Sequence, residues 1–244
     1  MQGDPVEAAA RALRGARFIA VLTGAGVSAE SGVPTFRDAQ SGLWAKYDPR
    51  ELATPEAFAR DPKLVWDWYA QRRAMAAHVS PNPAHVALAD LEQHANGFLL
   101  ATQNVDGLHQ RAGSRKLVEL HGNILRVRCS SCGLHAATWH EAGPPRCSAC
   151  GACLRPDVVW FDETLPEAAI AAATEAAKQC DVYLVVGTSA EVYPAAALPR
   201  AALRNGACVI ELNPGNTSLT SSATLSLRGR AGEVLPRLVR AAFG

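Results

Sequence analysis

The chain has 244 residues, 48% of them apolar and 19% charged, and its net charge is +1. This composition is typical of a globular protein with a sizeable core and excludes an intrinsically disordered chain. The near-neutral charge, without lysine or arginine runs, argues against nucleic acid as a partner, and no apolar stretch is long enough to span a membrane. Because no secretory signal is recognisable either, we expect a cytoplasmic protein without a membrane partner.

The first strong pattern is a strand followed by a glycine loop. Residues 18–22 form a short apolar run that predicts a buried parallel strand. Gly24, Gly26 and Ala29 follow with the G-x-G-x-x-G/A spacing, which is typical of a turn that brings the backbone and a helix N-terminus close to a pyrophosphate. Such a pattern alone is weak evidence, since many glycine turns bind nothing.

The stretch after the glycine loop departs from a dehydrogenase domain. A second strand and an acidic residue for the ribose are expected about 20 residues on. Residues 34–44 instead have no strand pattern and carry Phe36, Arg37 and Trp44. We therefore expect a phosphate-binding loop without the usual hydride-transfer layout, followed by a long loop that could close over a cofactor.

Helices and strands alternate through the rest of the chain. Helical patterns cover residues 63–78, 84–94, 166–179, 195–204 and 232–243. Strand patterns cover residues 98–102, 117–120, 157–161, 182–186, 208–212 and 223–227. This alternation predicts an α/β fold with a parallel sheet flanked by helices. Ligands collect at the carboxyl ends of such strands, where the glycine loop, residues 103–106 and residues 121–123 lie.

Four of the seven cysteines form two Cys-x-x-Cys pairs. Cys129 and Cys132 are separated from Cys147 and Cys150 by fourteen residues. This spacing is a strong signal for one tetrahedral zinc, and four thiolates would leave no open position, so the metal would be structural. Cys153 leaves an alternative open, because a Cys147 and Cys153 pair could substitute. The odd cysteine count also favours a reducing compartment.

The zinc segment and a helical segment interrupt the α/β pattern and suggest two lobes. We expect a discontinuous, Rossmann-type large domain made of residues 1–38, 80–125 and 156–244. The smaller lobe would combine a helical insertion, residues 39–79, with a zinc-ribbon insertion, residues 126–155.

His121 directly follows the predicted strand at residues 117–120, and we expect it near the polar residues 103–106. A neutral imidazole there could act as general base on a hydroxyl, although a lone histidine is more often structural. Asn104 and Asp106 lie at the neighbouring strand end, where such residues also commonly make turns.

Together these motifs resemble the sirtuins, the NAD-dependent protein-lysine deacylases, over nearly the whole chain. The resemblance rests on Gly24-Ala25-Gly26-x-Ser28, Pro34-Thr35-Phe36-Arg37, Gln103-Asn104-Val105-Asp106, His121-Gly122, the two cysteine pairs and Gly187-Thr188-Ser189. It implies that the acyl oxygen of an acyl-lysine protein substrate attacks C1′ of the nicotinamide ribose and that His121 deprotonates a ribose hydroxyl. The products would be lysine, nicotinamide and O-acyl-ADP-ribose.

The same resemblance implies roles for individual residues. The catalytic residues would be His121 and Asn104. The NAD-binding residues would be Gly24, Ala25, Gly26, Ser28, Thr35, Phe36, Arg37, Gln103, Asn104, Val105, Asp106, Gly187, Thr188, Ser189, Asn213 and Ala231. The acyl-lysine channel would be lined by Val159, Trp160 and Phe161. It also favours Cys129, Cys132, Cys147 and Cys150 as the metal ligands, with Cys153 as an extra thiol.

A second resemblance concerns the acyl group. Tyr69 and Arg72 match the Tyr-x-x-Arg segment of the desuccinylase-type (class III) sirtuins, and Ala53 falls where those relatives keep a small residue. Three residues apart on a helix, the two side chains share one face. The resemblance implies removal of succinyl or malonyl groups, in addition to acetyl.

Two other functions remain open from the sequence. A protein mono-ADP-ribosyltransferase would use the same NAD chemistry on a protein nucleophile. A non-catalytic zinc-ribbon module for nucleic acid is disfavoured, because the ribbon carries no basic stripe.

Overall fold

A computed structural model describes residues 4–34, 48, 52–139 and 142–244 of the chain. Its strands are β1 (Phe18–Thr23), β2 (Gly97–Thr102), β3 (Leu117–Glu119), β4 (Gly122–Cys129), β5 (Leu154–Val158), β6 (Val182–Val186), β7 (Cys208–Asn213) and β8 (Leu225–Arg228). Six of them form one sheet in the order β3-β2-β1-β6-β7-β8, and every neighbouring pair is parallel. The remaining two, β4 and β5, pair antiparallel in a separate sheet.

Helices cover both faces of the six-stranded sheet. The helices are α1 (Pro5–Gly15), α2 (Pro55–Arg60), α3 (Pro62–His78), α4 (Pro83–His94), α5 (Leu108–Arg111), α6 (Glu167–Gln179), α7 (Leu198–Arg204) and α8 (Ala231–Phe243). Ile19 and Val21 of β1 pack in a core with α1, α4 and α8. Ala20 and Leu22 pack on the opposite face with α6 and α7. Strands buried on both faces have near-continuous apolar sequences, which explains the run that begins β1.

A smaller unit forms where α2 and α3 pack on the β4–β5 ladder. Phe58, Trp68, Ile124 and Trp160 share one apolar core. A second core around Trp66 includes cysteines of the metal cluster. The predicted fold class, a Rossmann-type sheet with a lobe of helices and a zinc ribbon, is thus confirmed. The domain boundaries stay a prediction, and the β4–β5 ladder extends across those placed at residues 125/126 and 155/156.

One predicted strand was placed wrongly. Residues 157–161 were expected to return to the α/β pattern, but β5 ends at Val158 and pairs antiparallel with β4. Its partner β4 was not predicted at all. A bulge between Asn123 and Val127 breaks the alternation of buried residues in β4, so the period-2 signal is lost.

The expected helix directly after the glycine loop is also absent among the described residues. Two short 3₁₀ turns, Ala25–Val27 and Ala29–Ser31, take its place, and Gly32 ends the second with φ of 83°. A residue with positive φ cannot continue a right-handed helix, so the helical turns end at Gly32. Across the same residues, no helix combines the length and apolar character needed to cross a membrane.

Candidate active site

The glycine loop after β1 packs directly against the loop after β6. The N–H of Gly26 donates to the carbonyl of Gly187 at 2.8 Å, and the N–H of Gly24 donates to Val186 at 3.0 Å. A Cβ on Gly26 would lie 2.8 Å from the Gly187 Cα, and a Cβ on Gly24 would lie 2.6 Å from the Thr188 Cβ. The glycines are therefore required for close contact between two loops, in addition to any approach to a phosphate.

Polar side chains connect three strand ends at this edge of the sheet. The Gln103 side chain, after β2, donates to the Thr188 hydroxyl at 2.9 Å. The side chain of Asn213, at the end of β7, donates to the Thr188 carbonyl at 2.8 Å. The backbone N–H groups of Thr188 and Ser189 have no acceptor among the described residues. Free donors in a cradle of glycines fit the phosphate and ribose oxygens of NAD.

A buried network fixes Ser28 and Asn104. The Asn104 side chain donates to the Ser28 hydroxyl oxygen at 2.9 Å, and Nε2 of His85 lies 3.2 Å from the same oxygen. Nδ1 of His85 accepts the backbone N–H of Asn82, so its Nε2 carries the proton and donates to Ser28. The site thus holds both side chains by paired polar contacts, as buried polar groups require.

Asp106 lies beside this network, almost fully buried. Burial raises the pKa of its carboxyl above the ordinary value, although the N–H of Leu108, which donates to Oδ1 at 2.9 Å, partly opposes the rise. Val105, the preceding residue, accepts the N–H of Ile124 at 2.8 Å through its carbonyl. The segment after β2 is therefore anchored to β4.

His121 has a defined tautomer. Its Nδ1 lies 2.9 Å from the carbonyl oxygen of Gln103, which can only accept, so Nδ1 carries the proton and Nε2 keeps a free lone pair. Burial lowers the pKa of the imidazole below its ordinary value, with the Gln103 contact opposing in part. The ring is neutral at neutral pH and its Nε2 can accept a proton.

The residues predicted for the acyl pocket come together from three segments. Trp160 donates its indole N–H to the Tyr69 hydroxyl at 3.0 Å. The N–H of Phe161 donates to the carbonyl of Ala53 at 2.9 Å, and the N–H of Val159 donates to the carbonyl of His121 at 2.9 Å. The hydrogen bond from Val159 connects the segment predicted to line the acyl-lysine channel directly to His121.

Three other predicted NAD-binding residues, Thr35, Phe36 and Arg37, lie outside the described residues. Ala25 belongs to the first 3₁₀ turn. Ala231 is buried at the start of α8, where the N–H of Gly232 donates to Glu30 at 2.9 Å.

The four predicted metal ligands form one compact cluster. The sulfur atoms of Cys129, Cys132, Cys147 and Cys150 all lie within 4.8 Å of one another. Sγ of Cys129 is 3.4 Å from Sγ of Cys150, and the Cys132–Cys147 distance is 3.7 Å. Tetrahedral zinc with Zn–S of about 2.3 Å needs sulfurs about 3.8 Å apart, so these residues fit one structural zinc. Cys153 is outside this cluster and packs partly buried against the core around Trp160.

Comparison with known proteins decides the family. A model of the Sir2 family matches residues 24–194. The chain belongs to the Sir2 family. An NAD-dependent protein deacylase 2 of Pyrobaculum aerophilum is 56% identical to this Sir2 chain over 231 residues, 93% of this chain and 92% of the relative. NAD-dependent protein deacylase 1 of Pseudomonas aeruginosa is 52% identical over 244 residues, 95% of this chain and 96% of the relative.

A solved structure supports the same assignment. The crystal structure of a Sir2 homolog–NAD complex superposes on this Sir2 chain with a TM-score of 0.92 at 47% identity. The match covers 97% of this chain and 93% of that chain. The resemblance to sirtuins is thus confirmed, and with it NAD as the cofactor.

Two histidines that the sequence did not single out lie beneath the cradle of this Sir2 protein. His85 and His109 are fully buried, with ring centroids 4.8 Å apart. His109 Nε2 lies 2.9 Å from the Thr23 hydroxyl, which itself donates to Thr102 at 2.8 Å. His85 follows Pro83 at the start of a helix, where a histidine is unremarkable, so no sequence signal distinguished it.

Both buried histidines should make the protein sensitive to acid. Burial lowers the pKa of His85 to about 4 and that of His109 to about 3, from an ordinary 6.5. Below about pH 6.5 these two histidines become protonated in the unfolded chain but stay neutral in the folded protein. The free energy of unfolding therefore falls as the pH drops toward 4. We expect a slope of about 1.4 kcal/mol per pH unit for each histidine, measured by urea unfolding between pH 6 and 4.5.

The matched variants for this slope are His109→Gln and His78→Gln. Glutamine keeps an amide donor for Thr23 but cannot titrate. His109→Gln should therefore reduce the pH slope of the free energy of unfolding by about 1.4 kcal/mol per pH unit, the contribution of one histidine. His78 is exposed on α3, and its replacement should keep the wild-type slope. An unchanged slope in His109→Gln would contradict the prediction.

Metal content tests the ligand assignment. Cys150→Ser should lose most of the bound zinc and unfold at lower temperature, because structural zinc binding contributes directly to folding free energy. Cys153→Ser should keep its zinc, because this thiol is outside the cluster. Zinc per chain is measured by atomic emission after dialysis. Equal losses in the two variants would show that Cys153 is a ligand.

Proposed function

We propose that this Sir2 enzyme removes acidic acyl groups, of the succinyl and malonyl type, from protein lysines in preference to acetyl. Its general activity follows from its family and relatives: it is an NAD-dependent protein deacylase. The acyl preference is the new part, and acylated lysines of other proteins would be the substrates.

The observation that carries the proposal is the environment of Arg72. This half-buried guanidinium stacks 4.8 Å from the Trp68 ring and has no carboxylate partner among the described residues. Burial lowers the pKa of Arg72, so its charge costs free energy in the free enzyme. A carboxylate on the substrate would recover that cost through two parallel hydrogen bonds.

Tyr69 supports the same preference from the preceding turn of α3. It is 4% exposed, and burial raises the pKa of its hydroxyl to about 12, so it stays a neutral O–H donor at neutral pH. Ala53, which is also buried, lies in the same apolar core and adds little bulk beside it. A dicarboxylic acyl group carries a terminal carboxylate that the Tyr69 and Arg72 donors could bind.

The NAD site is proposed from the cradle residues. NAD supplies an electrophilic ribose carbon from which nicotinamide can leave. We assign its binding to Gly24, Ala25, Gly26, Ser28, Thr35, Phe36, Arg37, Gln103, Asn104, Val105, Asp106, Gly187, Thr188, Ser189, Asn213 and Ala231. Buried Asn104, held by Ser28, would orient the reacting ribose.

His121 would be the general base. Its unprotonated Nε2 would take a proton from a ribose hydroxyl, while Gln103 holds Nδ1–H and so keeps the ring in the required tautomer. Val159, hydrogen-bonded to the carbonyl of His121, would hold the acyl-lysine chain next to this base together with Trp160 and Phe161.

The test compares succinyl, malonyl and acetyl forms of one lysine peptide with NAD. We expect a kcat/KM about ten- to a hundredfold higher for the acidic groups, since a hydrogen bond to a charged group contributes about 1.5–3 kcal/mol. Mass spectrometry of all products separates the alternatives: deacylation lowers the peptide mass, whereas ADP-ribosyl transfer raises a protein mass. Preference for acetyl would refute the proposed acyl group.

A further inference from the structure

The contact between Trp160 and Tyr69 determines which atoms the acyl pocket presents. The indole N–H can only donate, so the Tyr69 oxygen is the acceptor at 3.0 Å. The two side chains are 3% and 4% exposed. The Tyr69 hydroxyl hydrogen has no acceptor among the described residues. A buried donor without an acceptor is unfavourable and indicates a ligand that accepts.

We propose that Trp160 is the specificity-determining residue that makes the acyl pocket a donor-only pocket: its indole N–H occupies the Tyr69 oxygen and leaves the hydroxyl hydrogen for the carboxylate of an acidic acyl group. This inference rests on the proposed function. Together with Arg72, Tyr69 then offers only hydrogen-bond donors to the substrate. An acetyl group has no terminal carboxylate to accept them.

Trp160 can exert this control because its indole packs against both the Arg155 guanidinium and the Phe58 ring. The Arg155 guanidinium lies 3.3 Å from the centre of the ring. Glu163 accepts the backbone N–H of Trp160 at 2.8 Å and pairs with Arg155, whose other contact is the Val158 carbonyl at 2.8 Å. Rotation of the indole away from Tyr69 would give up its stacking on the Arg155 guanidinium, which the Glu163 ion pair holds in place.

Donation by Trp160 also strengthens the donor that it leaves free. A hydroxyl whose oxygen accepts one hydrogen bond is polarised and donates a second one more strongly. Without the indole N–H the Tyr69 hydroxyl could rotate and present a lone pair, which repels a carboxylate. The succinyl preference should then fall although Tyr69 and Arg72 are both present.

The experiment is a double-substitution cycle with Trp160→Phe, Tyr69→Phe and the combined variant. Phenylalanine keeps an aromatic ring under Arg155 and removes the indole donor, and the accompanying loss of ring area is common to both Tyr69 backgrounds. The readout is the succinyl-to-acetyl ratio of kcat/KM on matched peptides, with KM for NAD as a check on the rest of the site. We expect Trp160→Phe to lower the ratio about three- to tenfold, through KM for the succinyl peptide.

The cycle separates a polarity role from a packing role. In the Tyr69→Phe background, where no hydroxyl remains to be oriented, Trp160→Phe should change the ratio less than about twofold. If Trp160→Phe lowers the succinyl-to-acetyl ratio equally in both backgrounds, or does not lower it at all, the inference about Trp160 is wrong. The proposed function still holds in that case, provided that the wild type prefers the succinyl peptide. A wild-type preference for acetyl would overturn both. Thermal unfolding of each variant confirms that it folds.

Discussion

His121→Ala should lower deacylation about a hundred- to ten-thousandfold for every acyl group, the range typical of losing a general base. The Nε2 of His121 would be the proton acceptor, because the Gln103 carbonyl holds Nδ1–H and so fixes the tautomer that leaves Nε2 free. Since the side chain packs at the edge of the site and carries no charge at neutral pH, the fold should persist. The measurement is nicotinamide release in single-turnover and steady-state assays.

Two controls distinguish a lost base from a damaged site. NAD affinity, measured by calorimetry, should change little in His121→Ala, because the side-chain contacts of Gln103 with Thr188 and of Asn104 with Ser28 do not involve His121. In the wild type, kcat should fall only below the lowered pKa of His121, that is, below its ordinary value near 6.5. Near wild-type turnover in a folded His121→Ala protein would rule out the histidine as base.

Arg72→Met should cut desuccinylation about ten- to a hundredfold and leave deacetylation little changed. Methionine keeps an apolar stem on the Trp68 ring but removes the guanidinium that would pair with the acyl carboxylate. The measurement is kcat/KM for two peptides that differ only in the acyl group, at fixed NAD. The expected loss corresponds to about 1.5–3 kcal/mol.

Lys63→Met is the matched control on the same helix. It removes an equal charge from an exposed position, where Lys63 pairs with Asp67. Surface charges are screened, so this variant should keep the wild-type acyl ratio. If desuccinylation and deacetylation fall in parallel in Arg72→Met, the arginine supports the structure of α3 instead of reading the acyl group.

The parallel sheet could be predicted because its strands are continuous apolar runs with glycine at their ends. The prediction failed where geometry depends on distant partners. The β4 strand was missed because a bulge shifts its pattern, and residues 157–161 were given to the wrong sheet because a short apolar run does not reveal its partner. The four-cysteine cluster, in contrast, could be predicted, because the Cys-x-x-Cys spacing is typical of residues that bind one zinc.

The sequence motifs of the site could be predicted, but the hydrogen bonds and buried residues that support them could not. Gln103 and His121 were singled out by position at strand ends, yet the hydrogen bond between them joins a side chain to a main-chain carbonyl and has no sequence signature. The roles of His85 and His109 depend equally on tertiary packing. Local patterns identified the residues at the strand ends, whereas the supporting contacts depend on the tertiary structure.

The β4–β5 ladder has the cysteine cluster at one end and His121, the proposed general base, at the other. At one end Cys129 pairs with Leu154, and at the other Gly122 pairs with Val158, next to His121. Gly122 has φ of 76°, and a Cβ there would lie 2.1 Å from the Asp157 carbonyl oxygen, so only glycine allows the two strands to approach this closely. A zinc ion bound by the four cysteines would thus influence catalysis without contacting a reactant. By holding one end of the β4–β5 pair it would stabilise the register of the two strands, and that register would position His121 relative to the acyl-lysine chain.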